Sequence, residues 1–144
     1  MNFCRASFLL ACIFFLSLAT AEDQKPPKLP QWHGQRDGGV ELSTKVLKTQ
    51  PSWAAFWKGQ GKPMPQELDE ALELAVFISI GERPTGGFKP QIVSASEIDG
   101  KYVIVYSEGK PSPDSFVTQA LTYPWVIAIV PKSVLKMETR LQAP

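Results

Sequence analysis

Asp99-Gly100-Lys101-Tyr102-Val103-Ile104-Val105-Tyr106 couples a turn dipeptide to five consecutive β-branched or aromatic residues. Asp-Gly supplies the positive φ of a tight hairpin turn, and the run that follows has the composition and length of a strand. Outward from it lie three similar runs: residues 75–80, residues 86–94 with Phe88, Ile92 and Val93, and Val126-Ile127-Ala128-Ile129-Val130. Several are apolar at consecutive positions instead of alternating, which requires burial on both faces. Upstream, Pro51-Ser52-Trp53-Ala54-Ala55-Phe56-Trp57-Lys58 places Trp53, Phe56 and Trp57 at i, i+3 and i+4, one face of a short helix that Gly59 ends. With a short strand over 44–49, the expected fold is α+β: a small, mainly antiparallel sheet of about five strands, sandwich-like in one form, with the aromatic helix packed on it.

The ends of the chain lack such patterns. Arg5, the apolar stretch 6–18 and Ala19-Thr20-Ala21 read as a secretion signal cleaved after Ala21, and the apolar run is too short to span about 30 Å of hydrocarbon. Leu9-Leu10-Ala11-Cys12 is a rival, lipobox-like reading with an anchor at Cys12, but only six apolar residues precede that cysteine. Residues 22–43 are rich in Pro, Gly and Lys without apolar periodicity and read as a flexible tether. Within them Trp32 docks on the domain or on a partner. The divisions are therefore a signal peptide 1–21, a tether 22–43, a folded domain 44–132 and a C-terminal tail 133–144.

Removing residues 1–21 removes Cys4, Cys12 and Arg5. It leaves 144 − 21 = 123 residues with 14 Lys+Arg against 14 Asp+Glu and one histidine, His33. A neutral chain without cysteine has no disulfide framework, thiol nucleophile or thiolate metal site. It also lacks the basic footprint of a nucleic-acid binder. Glu67, Asp69, Glu70 and Glu73 form the one carboxylate cluster and lack the spacing of a calcium loop or a di-metal helix pair. No metal or cofactor is expected. His33, in the expected tether, is poorly placed for a catalytic triad.

Gly81-Glu82-Arg83-Pro84-Thr85-Gly86-Gly87-Phe88 lies between two expected strands and reads as a hairpin turn. Pro84 fixes one corner, and Gly86 and Gly87 allow positive φ and close backbone approach. Turning alone needs fewer special residues, so Glu82, Arg83, Pro84, Thr85, Gly86 and Gly87 are candidates for partner binding. Thr118, Gln119, Tyr123 and Trp125, around Tyr123-Pro124-Trp125, are the others, and strand order sets whether the two turns adjoin. Trp125 equally suits a core position at a strand start.

The segment 81–88 resembles the Gly-x-x-Pro-Thr-Gly-Gly-aromatic hairpin of the protease-complex subunit PrcB family. Phe116-Val117-Thr118-Gln119-Ala120-Leu121-Thr122-Tyr123-Pro124-Trp125-Val126-Ile127 is similar to that family's closing segment. The aromatic helix also fits, while Asp69 stands at a family Asp-Phe pair with Glu70 in place of Phe. The resemblance spans about residues 44–132. It implies an exported, periplasmic or secreted accessory protein of the bacterial envelope, a protein partner such as an exported subtilisin-like protease, and no catalysis of its own. Two alternatives stand beside it. One is a loop-wedge protease inhibitor of chagasin type, although that type's glycine-rich middle loop has no clear counterpart in this sequence. The other is a small hydrolase with two carboxylates about 5–9.5 Å apart in one pocket.

Overall fold

The computed structural model describes residues 28–143; the expected leader, its cleavage point, Cys12 and the first part of the expected tether lie outside the described residues. The elements are β1 (Gln31–Gly34), β2 (Leu42–Leu47), α1 (Gln50–Gly59), β3 (Glu73–Ile80), β4 (Lys89–Ile98), β5 (Lys101–Gly109), β6 (Trp125–Pro131) and β7 (Met137–Leu141). They form two sheets, β1-β6-β3-β2 and β4-β5-β7. Among the described residues seven strands thus replace the expected five, and the sandwich arrangement is the one adopted. Every pairing is antiparallel except β5 with β7, which is parallel.

Consecutive apolar residues in β3 and β6 serve two cores, because successive side chains of a strand point to opposite faces. Leu74, Val76, Ile78 and Ile80 of β3, with Val126, Ala128 and Val130 of β6, meet Ile92, Tyr102, Ile104 and Tyr106 of the second sheet. Ala75, Phe77, Trp125, Ile127 and Ile129 face the other way, onto Trp53 and Trp57 of α1. Helix, first sheet and second sheet are therefore three layers, and the first sheet is covered on both sides.

α1 forms where the sequence supplies its caps. Thr49 is the N-cap, exchanging hydrogen bonds with Ser52 in a capping box, and Pro51 stands in the first turn. Glu70 Oε1 accepts from Gln50 N at 2.6 Å, and Gln50 Oε1 accepts from Leu68 N at 2.7 Å. The 66–70 segment is thereby tied to the helix start. A carboxylate there also complements the positive end of the helix dipole. The Asp99-Gly100 turn is as expected: both residues have positive φ, 50° and 72°, between the paired Ile98 and Lys101.

Three expectations are corrected. Residues 28–43 of the supposed tether are structured, since β1 pairs with β6 and brings Trp32 to ring-centroid distances of 5.6 and 5.7 Å from Trp53 and Trp57. The supposed tail contains β7, laid along β5 and held by Glu138, which accepts from Lys101 and Arg140 at 2.7 Å each. The third concerns 81–88, which is not a hairpin turn. β3 and β4 belong to different sheets, so this segment carries the chain from one layer of the sandwich to the other.

Candidate functional site

The 81–88 crossover has a counterpart in loop 110–124, which returns the chain from β5 to β6. The two are stitched together. Arg83 N donates to Thr122 O at 2.8 Å and Thr122 N to Arg83 O at 2.9 Å, an isolated antiparallel bridge. Gly86 N donates to Thr118 O, and the Thr122 hydroxyl to Thr85 O, both at 2.8 Å. The turns that sequence left unplaced are therefore neighbours.

The extra constraint in Pro-Thr-Gly-Gly comes from this contact. Gly87 has φ +88°, and a Cβ on it would stand 2.7 Å from Val117 Cγ1 and 2.8 Å from Pro111 Cβ. A Cβ on Gly86 would stand 3.3 Å from the Thr118 Cβ. Glycine is needed because one loop lies directly against the other.

Arg83 is also committed within the chain. Its Nη2 donates to both Glu108 carboxylate oxygens at 2.9 and 3.0 Å, its Nη1 donates to Glu82 O at 2.9 Å, and the guanidinium lies 5.7 Å over the Phe88 ring. Trp125 is 1% exposed, with its indole N–H donating to Arg36 O at 2.6 Å; it is core and not a surface anchor. Glu82, Pro84, Gly87, Thr118 and Gln119 are exposed, Thr85 and Tyr123 half-buried, and Gly86 buried. Hydrogen bonding to Glu82, with the charge of that carboxylate, raises the pKa of the Tyr123 hydroxyl.

Sequence reasoning passed over the most exposed apolar group of the site. Phe116 is 107% exposed in loop 110–124, and Leu121 in the same loop is 58% exposed. The available signal was a phenylalanine following Pro111-Ser112-Pro113-Asp114-Ser115, a polar, proline-rich segment with no periodicity to place it in a core. Just before Phe116 the loop is also held by local bonds: Ser115 N donates to Ser112 O at 2.9 Å, and the Ser115 hydroxyl to the same oxygen at 2.6 Å. Chemically, the paired loops offer a fixed backbone and an apolar anchor, the means of recognising another surface.

Other candidate groups have structural employment. Asp69 Oδ1 accepts from Ala71 N at 3.0 Å, Glu73 Oε2 from Asp69 N at 3.2 Å, and Glu70 caps α1. Among the described residues no group of three His, Cys, Asp or Glu side chains is placed to hold a metal ion, and no helix is long and apolar enough to cross a membrane. Four surface clefts are each lined by one carboxylate: Asp37 in two, Glu73 and Glu108 in the others. His33 lies in β1, with its ring beside the backbone of Pro90. Its Nε2 is buried without a partner.

The fold and the paired loops define a small two-sheet sandwich with a braced loop surface at one end. Residues 74–131, from β3 to the end of β6, match the family model described as PrcB C-terminal, and over that stretch the chain is PrcB-like. The matched segment contains both loops. The aromatic helix, β1 and β2 lie outside it. No curated protein and no solved structure matches the chain.

Proposed function

We propose that this protein is an exported, non-enzymatic accessory subunit of the bacterial cell envelope, working in a protease complex and binding its partner through loops 81–88 and 110–124. The observation that carries the reading is a fully exposed Phe116 on a loop braced against the Pro-Thr-Gly-Gly segment, in a stretch that matches the PrcB C-terminal family. Preorganisation lowers the ordering cost of binding, and exposed aromatic residues are frequent interface anchors. Glu82, Thr118, Gln119, Tyr123 and Leu121 are the other exposed or half-buried side chains of the two loops offered to the partner. Arg83 and Gly86 brace the loop through Thr122 and Thr118, and Trp125 belongs to the core.

The same ridge favours one second reading, a protease inhibitor that inserts Phe116 into the partner's cleft. Photo-crosslinking separates the two and tests the first. A benzoylphenylalanine at position 116 or 119 is expected to trap an envelope protease outside its active site, whereas the same probe at Asp99, in the β4–β5 turn, traps none. Trapping at the protease active site with loss of proteolysis would establish the inhibitor. Equal trapping from all three positions would remove the ridge from the interface. Export is tested by mass spectrometry of the mature N-terminus, expected at Glu22; an acylated Cys12 would replace that with lipid anchoring.

A further inference from the structure

We propose that the helix-covered face of the first sheet carries a binding cleft for a small carboxylate borne on an aromatic or branched apolar body. Two adjoining hollows of about 250 and 380 Å³ share Asp37 and Gln60 as walls, close to the lower end of the ~300–1,000 Å³ usual for ligand pockets. The first is walled by Leu47, Ala55, Phe56 and Phe77, and Trp125 contributes to the second. These rings touch one another. Phe56 lies 5.6 Å from Phe77 and 5.5 Å from Trp125, and Phe77 lies 5.7 Å from Trp125, centroid to centroid.

Charge selects the ligand. Lys45 Nζ lies 5.8 Å from the Phe77 ring centre and Lys62 Nζ 6.0 Å from that of Trp125, near the outer limit of a cation–π contact. Arg36 lines the second hollow as a third cation. Among the described residues none of the three makes an ion pair. Asp37 is the one carboxylate of the cleft, so a net excess of two positive charges surrounds the aromatic walls. An acid whose apolar body packs against Leu47, Ala55 and Phe56, the apolar walls left partly open, would place its carboxylate within reach of ammonium groups on flexible stems. A neutral isostere would gain the packing alone, and a cationic one would be repelled. The assignment is independent of loops 81–88 and 110–124.

Such an acid is either free or the C-terminal residue of a peptide, and amide-resolved NMR titration of the purified protein distinguishes the sources. The probes are 3-phenylpropionate, its amide, Gly-Gly-Phe and Gly-Gly-Phe amide. Saturable shifts are expected at Asp37, Gly59 and Gln60, with each acid binding about tenfold tighter than its amide. A double Lys45→Met, Lys62→Met variant, altered only at exposed side chains, is expected to keep the wild-type spectrum elsewhere and to lose that preference. Tighter binding of 3-phenylpropionate assigns a free acid, and tighter binding of Gly-Gly-Phe assigns a peptide end. Either acid matched by its amide, or no saturable shift with either acid up to about 10 mM, overturns the proposal.

Discussion

His33 is the one side chain of the chain whose ordinary pKa, 6.5, falls near neutrality, and its setting gives the protein a pH response. Burial lowers its pKa, and the positive charge of Lys89 lowers it further, against a smaller upward pull from the nearby Pro90 backbone. Because the folded value lies below the unfolded one, the unfolded chain binds more protons across that interval. The stabilisation is complete above about pH 6.5 and is lost as the pH falls through the folded value. Thermal melts between about pH 7.5 and 5 should show a falling Tm that is flatter in a His33→Gln variant; equal slopes would assign the effect to other groups. Gly87 gives a second prediction at this scale. A Gly87→Ala substitution adds a left-handed φ penalty to a clash with Val117 and Pro111, and should cost about 1–3 kcal/mol in denaturant unfolding. A loop that partner binding alone had shaped would tolerate that methyl group without loss of stability.

Among the elements, β1 shows why part of the fold was not legible in the sequence. Its strand is four residues long and carries Gln31 and His33, polar side chains that a periodicity argument assigns to solvent. They face the second sheet instead. Gln31 Nε2 donates to Ile92 O at 3.2 Å and Ile92 N donates to Gln31 Oε1 at 2.9 Å. His33 lies beside the Pro90 backbone, and Gln35 Nε2 donates to Phe88 O at 2.7 Å. Alternate residues 31, 33 and 35 thus meet alternate residues 92, 90 and 88, an ordering that exists only once β4 is in place. Strand β7 escaped for the same reason, since Met137-Glu138-Thr139-Arg140-Leu141 has no apolar run and gains its order from β5. By contrast, β3, β5, β6 and α1 carry their own signals, in apolar runs and an aromatic stripe. The candidate site divides likewise: Pro-Thr-Gly-Gly marked the loop, but the pairing of Arg83 with Glu108, 25 residues away, required the tertiary fold. A Gln31→Leu substitution should leave the Ile92 N–H and C=O unpaired and cost about 1–3 kcal/mol by urea unfolding. A neutral result would show that β1 is held by Trp32 and the β6 pairing alone.

The whole molecule is a three-layer structure whose first sheet is complete only with β1 at its edge, and this moves the boundary of the folding unit. A chain starting at Thr44, where apolar patterning begins, would lack β1 and the first two residues of β2. It would expose the β6 edge along Trp125–Ala128 and uncover Trp53 and Trp57 where Trp32 now lies. Loss of a packed tryptophan alone costs about 3–5 kcal/mol, against a total stability of about 5–15 kcal/mol for a domain. An open strand edge adds a template for aggregation. Residues 44–144 should therefore be insoluble or melt without cooperativity in circular dichroism, whereas residues 28–144 should melt as one transition within a few degrees of residues 22–144. A cooperative, soluble 44–144 fragment would make β1 an accessory strap and return the boundary to where the composition changes. With the expected result, the segment that looks like a tether is the strand that completes the first sheet and covers Trp53 and Trp57.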